Sequence, residues 1–581
     1  MIGTEMTCSD WIKSLSALAI LFVLVSCRSI QSLDEIDARS YQILKDRGLG
    51  EGEDSEVFTV MNFSDQLRRK IYQEQGLYLG SPATLGLADL PPVVGEEVDY
   101  RNALIADRLS VAIDLSQPLT LQQVLELAAE NSRDYHSQKE KVFESALDLN
   151  LAAYDFGIQI DYFKWDSVVE QDLSGESASR GLSQGASIGL SRQFLSGSMV
   201  RTSLAMDVVH LLQARSASSL GLMSDHSVSI PLLRGRGAHI AAEPLTSAER
   251  EVDYAIAEFD FYRREFVVKI ARQYYEVLQA MDQVQNAQAN YENLKKATKR
   301  VAAIAQSGRL PASHVDQSRQ DAYRSSLRLV DAQTRYADRL DTLKESIGYP
   351  VDASLRLEQS ELTRLATDFS IPETALWEQT EAALFELAFK NRNDVQTFFR
   401  KVEDAQRSVV LAQDALRPEL TIGGEASLGV SRSLSSADSE DIYPEFDRGR
   451  YQALLHVDFA LDRVAESHHL RKRVMDLEQA IRSCQKHEDA LKRSIRTNVR
   501  RIKSDLENYK TQVNSLALAN RRVERANLFL EAGRIEVRDL LEAQEALLDS
   551  QNALTKTIVD YRIHVWAFER DLGILNINQF I

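Results

Sequence analysis

Ala532-Gly533-Arg534-Ile535-Glu536-Val537-Arg538-Asp539-Leu540-Leu541-Glu542-Ala543-Gln544 interrupts a stretch that is otherwise free of chain breakers. After Pro444 there is no proline, and between Gly449 and Gly573 the only glycine is Gly533. Glycine supplies the left-handed backbone that ends a helix. The spacing therefore predicts two long helices joined at a single turn. The arm from Asp462 to Ala532 would run about 100 Å at roughly 1.5 Å per residue, too long for a compact domain.

The same plan occurs earlier in the chain. Between Pro244 and Pro350 the only proline is Pro311 and the only glycines are Gly308 and Gly348. Ser307-Gly308-Arg309-Leu310 matches Ala532-Gly533-Arg534-Ile535, and Gly348 follows Gly308 at the interval by which Gly573 follows Gly533. Upstream, Leu125-Glu126-Leu127-Ala128-Ala129-Glu130-Asn131-Ser132-Arg133-Asp134 matches Phe385-Glu386-Leu387-Ala388-Phe389-Lys390-Asn391-Arg392-Asn393-Asp394 without a gap. Two matches in the same order with equal internal spacing indicate a tandem duplication. We divide the chain into residues 1–26, 27–115, a first repeat 116–350 and a second repeat 351–581.

Apolar residues recur every seven positions in the last helix of each copy. Leu540, Leu547, Leu554, Tyr561 and Phe568 form one row, with Ile558, Val565 and Leu572 beside it. Val315, Ala322, Leu329, Tyr336 and Leu343 form the other, with Leu340 and Ile347. Sustained seven-residue spacing produces left-handed coiled coils.

Between the helices the period changes to two. Leu420, Ile422, Ala426, Leu428 and Val430 alternate with small or polar residues. So do Tyr451, Ala453, Leu455, Val457, Phe459 and Leu461, although Leu454 breaks the polar face. In the first copy the apolar partners are Ile188, Leu190 and Phe194, then Val200, Leu204, Met206 and Val208, then Val228, Ile230 and Leu232. A weaker run holds Phe156, Ile158, Ile160 and Tyr162. Such alternation marks a transmembrane β-barrel, and a half-buried soluble sheet gives the same pattern.

At the N-terminus, Lys13 precedes the apolar run Ala17 to Val25. It is shorter than the roughly 20 residues of a membrane helix and fits a signal peptide over 1–26. Leu24-Val25-Ser26-Cys27 resembles a bacterial lipobox, which implies lipidation of Cys27 and weighs the strands towards a barrel. The acidic extension from Arg28 to about Leu115 carries Ser81-Pro82 and Leu90-Pro91-Pro92 and is expected to be partly disordered. The net charge of −18 argues against a nucleic-acid binder. Cys8, Cys27 and Cys484 have no metal-ligand or disulfide spacing.

Together these pieces resemble the TolC-type outer-membrane efflux protein family, over roughly Leu119 to Leu575. The resemblance rests on Leu119 to Asn131, Pro231-Leu232-Leu233-Arg234-Gly235, Leu461-Asp462-Arg463 and Ala532 to Gln544. It implies a mainly α fold with a β-barrel part. A long antiparallel coiled-coil α-barrel would adjoin a twelve-stranded transmembrane β-barrel, closed by a homotrimer in which each protomer gives four strands. It implies a passive exit duct of a tripartite efflux or type I secretion system, lipid-anchored in the outer membrane and extending into the periplasm. A periplasmic adaptor and an inner-membrane transporter would be its partners. The alternative is a lipid-anchored periplasmic coiled-coil scaffold without a pore. One departure stands out: the first copy has more strand-like segments than four per protomer requires, and Ala186 to Val208, turning near Gly197-Ser198, is either an added hairpin or a long loop.

No catalytic constellation emerges, and no cofactor is expected. Ten histidines are scattered, and adjacent His468 and His469 point about 100° apart on a helix. There is no GxSxG, and Gly235 and Gly237 lack a third phosphate-loop glycine. Asp539 and Glu542 lie on one helix face just after the Gly533 turn. By the resemblance they form a pore-gate ring of carboxylates, which would favour cations; alternatively they complement a helix dipole. The turns Gly308-Arg309-Leu310 and Gly533-Arg534-Ile535 are the expected adaptor-docking tips, each with an apolar residue expected to be exposed.

Overall fold

Long runs without glycine or proline and punctuated alternating segments dictate helices and strands respectively, and the computed structural model of the chain contains both. It describes residues 33–49, 58–60, 64–77, 117–172, 179–211, 218–308, 311–367, 376–431, 446–447, 449–459, 461–532 and 534–577. The signal-peptide stretch, Cys27, Arg309, Leu310 and Gly533 lie outside these residues.

The segment read as an irregular extension contains two helices, α1 (Leu33–Asp46) and α2 (Ser64–Glu74). The first repeat follows with α3 (Leu121–Asn131) and α4 (Arg133–Asp155), then β1 (Ile158–Asp172), β2 (Ser179–Gln193), β3 (Met199–Leu211) and β4 (Ser218–Pro231), then α5 (Glu243–Gln306) and α6 (Ala312–Ser346). The second has α7 (Glu381–Asn391), α8 (Asn393–Asp414), β5 (Glu419–Gly429), β6 (Arg450–Asp458), α9 (Val464–Glu531) and α10 (Val537–Asp571). Helix for helix the copies agree in length: 11 and 11 residues, 23 and 22, 64 and 68, 35 and 35. Among the described residues they differ between the second and third helices, where one has four strands and the other two.

The described residues form two compact units, and the division falls within α4, α5, α8 and α9. One unit holds the sheet. All six strands are antiparallel neighbours in chain order, β1-β2-β3-β4-β5-β6. The region of Ala186 to Val208 is thus a sheet hairpin, wider than the pattern suggested, while Phe194 falls in its turn. In this unit α1 packs through Tyr41, whose ring centroid lies 4.9 Å from that of Phe143. Arg47 pairs with Asp253. Asp404 accepts hydrogen bonds from Arg250 at 2.7 Å and Tyr254 at 2.6 Å, and Arg407 donates to Glu243 at 3.1 Å. These ties clip the end of α8 to the start of α5.

The other unit is helical. Most of its seven-residue rows become core in the second copy: Leu540, Ile558, Tyr561, Val565, Phe568 and Leu572 are buried, while Leu547 and Leu554 are half-buried. Tyr561, Val565, Phe568 and Leu572 share a cluster with Leu384, Leu491, Ile495 and Ile502. Polar pairs stitch the helices at intervals. Asn290 donates to Ser325 at 3.3 Å, and Asn286 donates to Asn552 at 3.1 Å. Asp505 meets His564 at 2.6 Å. Helix α2 adds buried Leu67, Ile71 and Tyr72, and Gln75 accepts from the Ser354 N–H at 2.8 Å. The first-copy row is less covered, and α6 leaves Tyr323, Leu327 and Val330 exposed on one face.

Candidate functional site

Alternation along each strand gives the sheet two unlike faces, and the pairing register carries the difference across all six strands. One row runs Ile160, Leu190, Thr202, His226, Ala426, Tyr451, and the next on the same face runs Phe163, Ile188, Leu204, Ser224, Leu428. Trp165, Ala186, Met206 and Leu222 continue it. Among the described residues the charged side chains on this face are Arg180 and Arg192, near the two ends of β2, and the Arg192 guanidinium lies 4.9 Å over the Phe194 ring. The opposite face carries Lys164, Asp166, Arg201, Asp207, Asp225, Glu425 and Arg450. Polar ties cross it: Ser203 donates to Asp225 at 3.4 Å, and Ser191 donates to Asp161 at 2.6 Å.

Asp161 sits where the β1–β2 register shifts, between Ile160 and Tyr162. Such bulges bend and re-aim strands at barrel rims. The polar face of β2 consists only of Gly181, Ser183, Gly185, Ser187, Gly189 and Ser191 between the strand ends. Gly189 makes room for the Tyr162 ring, which a Cβ there would approach to 2.5 Å. The apolar alternation begins at Ala186, seven residues after the strand itself starts at Ser179. The Ser/Gly alternation was the available signal, but weak apolar content on the other face hid it.

The sheet is open within one chain: among the described residues β1 and β6 each pair on one side only. Both edges are rich in exposed apolar side chains, with Val169 73%, Ile158 67% and Leu455 66% exposed. Unpaired edges of this kind invite another strand.

The second candidate site is the pair of helix turns. Gly308 has φ +75°, Ser307 Oγ donates to the Ile304 carbonyl at 2.7 Å, and Pro311 caps α6. At the other turn the Arg534 N–H donates to the Phe529 carbonyl at 2.8 Å. Arg534 is exposed, but Ile535, expected to be exposed, is half-buried against a cluster that includes Leu294 and Val301 of α5 as well as Leu530, Val537 and Leu540.

The two acids are brought to one end of α10 but have separate partners. Asp539 accepts from the Glu536 N–H at 3.3 Å, a helix-capping bond. Glu542, 54% exposed, lies 3.6 Å from both Arg538 and Arg522. Among the described residues no group of His, Cys, Asp and Glu is placed to hold a metal, and His468 bonds instead to the Val464 carbonyl at 2.7 Å. No described helix is long and apolar enough to cross a membrane.

No family model and no curated protein matches the chain. Solved structures do. The outer-membrane channel OprN superposes with a TM-score of 0.57 at 14% identity, over 78% of this chain and 89% of that one. The CmeC outer membrane channel of Campylobacter jejuni gives 0.57 at 13% identity, over 78% and 85%. The outer membrane protein VceC of Vibrio cholerae gives 0.55 at 14%, over 78% and 96%. The duplicated helical hairpins and the antiparallel sheet of this chain therefore share the fold of the TolC-type outer-membrane channels.

Proposed function

We propose that the chain is the outer-membrane exit duct of a tripartite efflux or type I secretion system, a passive conduit that catalyses nothing. The observation that carries this reading is the sheet with one apolar face, one charged face and two free edges. A bilayer does not tolerate open edges, so copies of the chain must close the ring. A homotrimer fits, and the exposed Tyr323, Leu327 and Val330 stripe on α6 supplies helical surface for the same assembly. The apolar face would meet outer-membrane lipid and the charged face would line an aqueous lumen. A scaffold without a pore has no use for such a sheet.

The long helices would reach into the periplasm, where the Gly308 and Gly533 turns would dock an adaptor that couples the duct to an inner-membrane transporter. Asp539 and Glu542 would stand near the entrance as gate acids. Cys27 would carry the lipid anchor. The test is direct: the purified full chain, placed in planar bilayers, should show discrete ion conductance and heat-modifiable migration on gels. Silence in both assays sinks the duct.

A further inference from the structure

We propose that the β2–β3 hairpin is a built-in stretch of channel wall, so that each copy contributes six strands and three copies close an eighteen-stranded barrel. This rests on the trimeric duct reading above.

The repeat identifies the hairpin as an addition. In the second copy, helix α8 leads to β5, and β6 leads directly to α9. In the first, β1 follows α4 and β4 precedes α5, with β2 and β3 set between them. The hairpin is not laid over a four-stranded sheet. It is laddered on both sides, from Ile158↔Arg192 to Asp172↔Ser179 against β1, and from Met199↔Ser229 to His210↔Ser218 against β4. Strands β1 and β4 therefore pair with the hairpin and not with each other. Lifting it out would open two ladders, which a bilayer penalises at every unpaired group.

Its side chains obey the two faces of the whole sheet. Ile188 continues the apolar row of Phe163, and Ser187 continues the polar row of Lys164. Adding two strands keeps the count even, so β6 of one copy still runs antiparallel to β1 of the next. Barrel diameter grows roughly linearly with strand number, so eighteen strands give a bore about one and a half times that of twelve, in the range that leaves an aqueous channel. The Ser and Gly face of β2 adds no bulk to that bore. At the level of the sheet the duct is thus open to large hydrated cargo, and size selection falls to the helical part.

A cysteine scan on the full chain in a Cys484→Ser background tests this in cells. Ser183→Cys and Ser187→Cys should react with a charged, membrane-impermeant maleimide added outside, whereas Ala186→Cys and Ile188→Cys should show labelling at background. Labelling of all four positions would mean an exposed loop and overturn the inference. Electron cryomicroscopy of the extracted protein counts the wall directly: eighteen strands are expected, and a twelve-stranded ring with hairpins outside it refutes the proposal while leaving the duct intact. If the parent chain neither conducts nor forms a ring, the duct reading itself has failed, and this inference goes with it.

Discussion

Gly348 lies so close to Asn131 that a Cβ would stand 2.0 Å from the Asn131 carbonyl oxygen, and the second copy repeats the contact between Gly573 and Asn391, at 3.0 Å. In both copies the residue that ends the last helix is seated on the residue that ends the first. The internal repeat is thus also a repeat of tertiary joints.

Gly348→Ala should destabilise the protein more than Gly308→Ala. Both glycines have φ near +75°, which costs an L-residue roughly 1–2 kcal/mol. Only Gly348 also meets backbone; Gly308 has nothing within 4 Å. Thermal unfolding of the two variants compares them, and equal losses would show that the close approach relaxes freely.

The tips separate contact from packing. Arg534→Glu changes an exposed charge and should lower cross-linking to an adaptor while trimer yield stays normal. Ile535→Asp places a charge against the Leu530 and Val537 core and should lower stability as well, since burying an unpaired charge is costly. Unchanged cross-linking of Arg534→Glu would remove this tip from the docking surface.

The acids at the head of α10 are separable in the same way. Glu542→Gln should weaken cation selectivity and block by a trivalent cation in single-channel recordings. Asp539→Ala removes a capping acceptor and should also cost about 0.3–1 kcal/mol of stability. If the double variant conducts like its parent, the acids serve only the helix end and its arginine pairs.

Glu569 offers a pH test. Burial raises its carboxyl above the ordinary range, with Arg562 partly opposing. Its folded pKa therefore exceeds the unfolded one, so its contribution favours folding at low pH and is lost as pH rises through the folded value. Glu569→Gln should accordingly be more stable than the parent at neutral pH, an advantage that shrinks on acidification. A constant difference across the titration would argue against the burial penalty.

Cys27→Ala should abolish acyl labelling, because the thiol is the attachment point a lipobox provides. The proposed barrel would insert on its own account, so the variant should keep some conductance. Persistent labelling would place the anchor elsewhere.

How much of this was readable in advance depends on the range of the interaction. Helix lengths, both turns and the duplication follow from where glycine and proline occur, as in the single interruption at Gly533. Strand faces follow from the period of two at Leu420 to Leu428, while Val430 falls past the end of β5. These are properties of neighbours along the chain, and backbone sterics act at that range. The charged network of Arg250, Tyr254 and Asp404, and the docking of Gln75 on Ser354, join residues far apart in sequence and left no local trace.

By itself, then, the sequence determined two repeats of helical hairpins with alternating strands between them, because helix and strand periodicity is written into successive residues. Only the tertiary structure decided that β2 and β3 stand inside the sheet, that Ile535 turns inward, that Asp539 caps its helix while Glu542 sits beside two arginines, and that the extension carries docked helices. The reason is physical: strand order, burial and ion pairing are chosen by competition among distant partners, and no single stretch of chain holds the outcome of that competition.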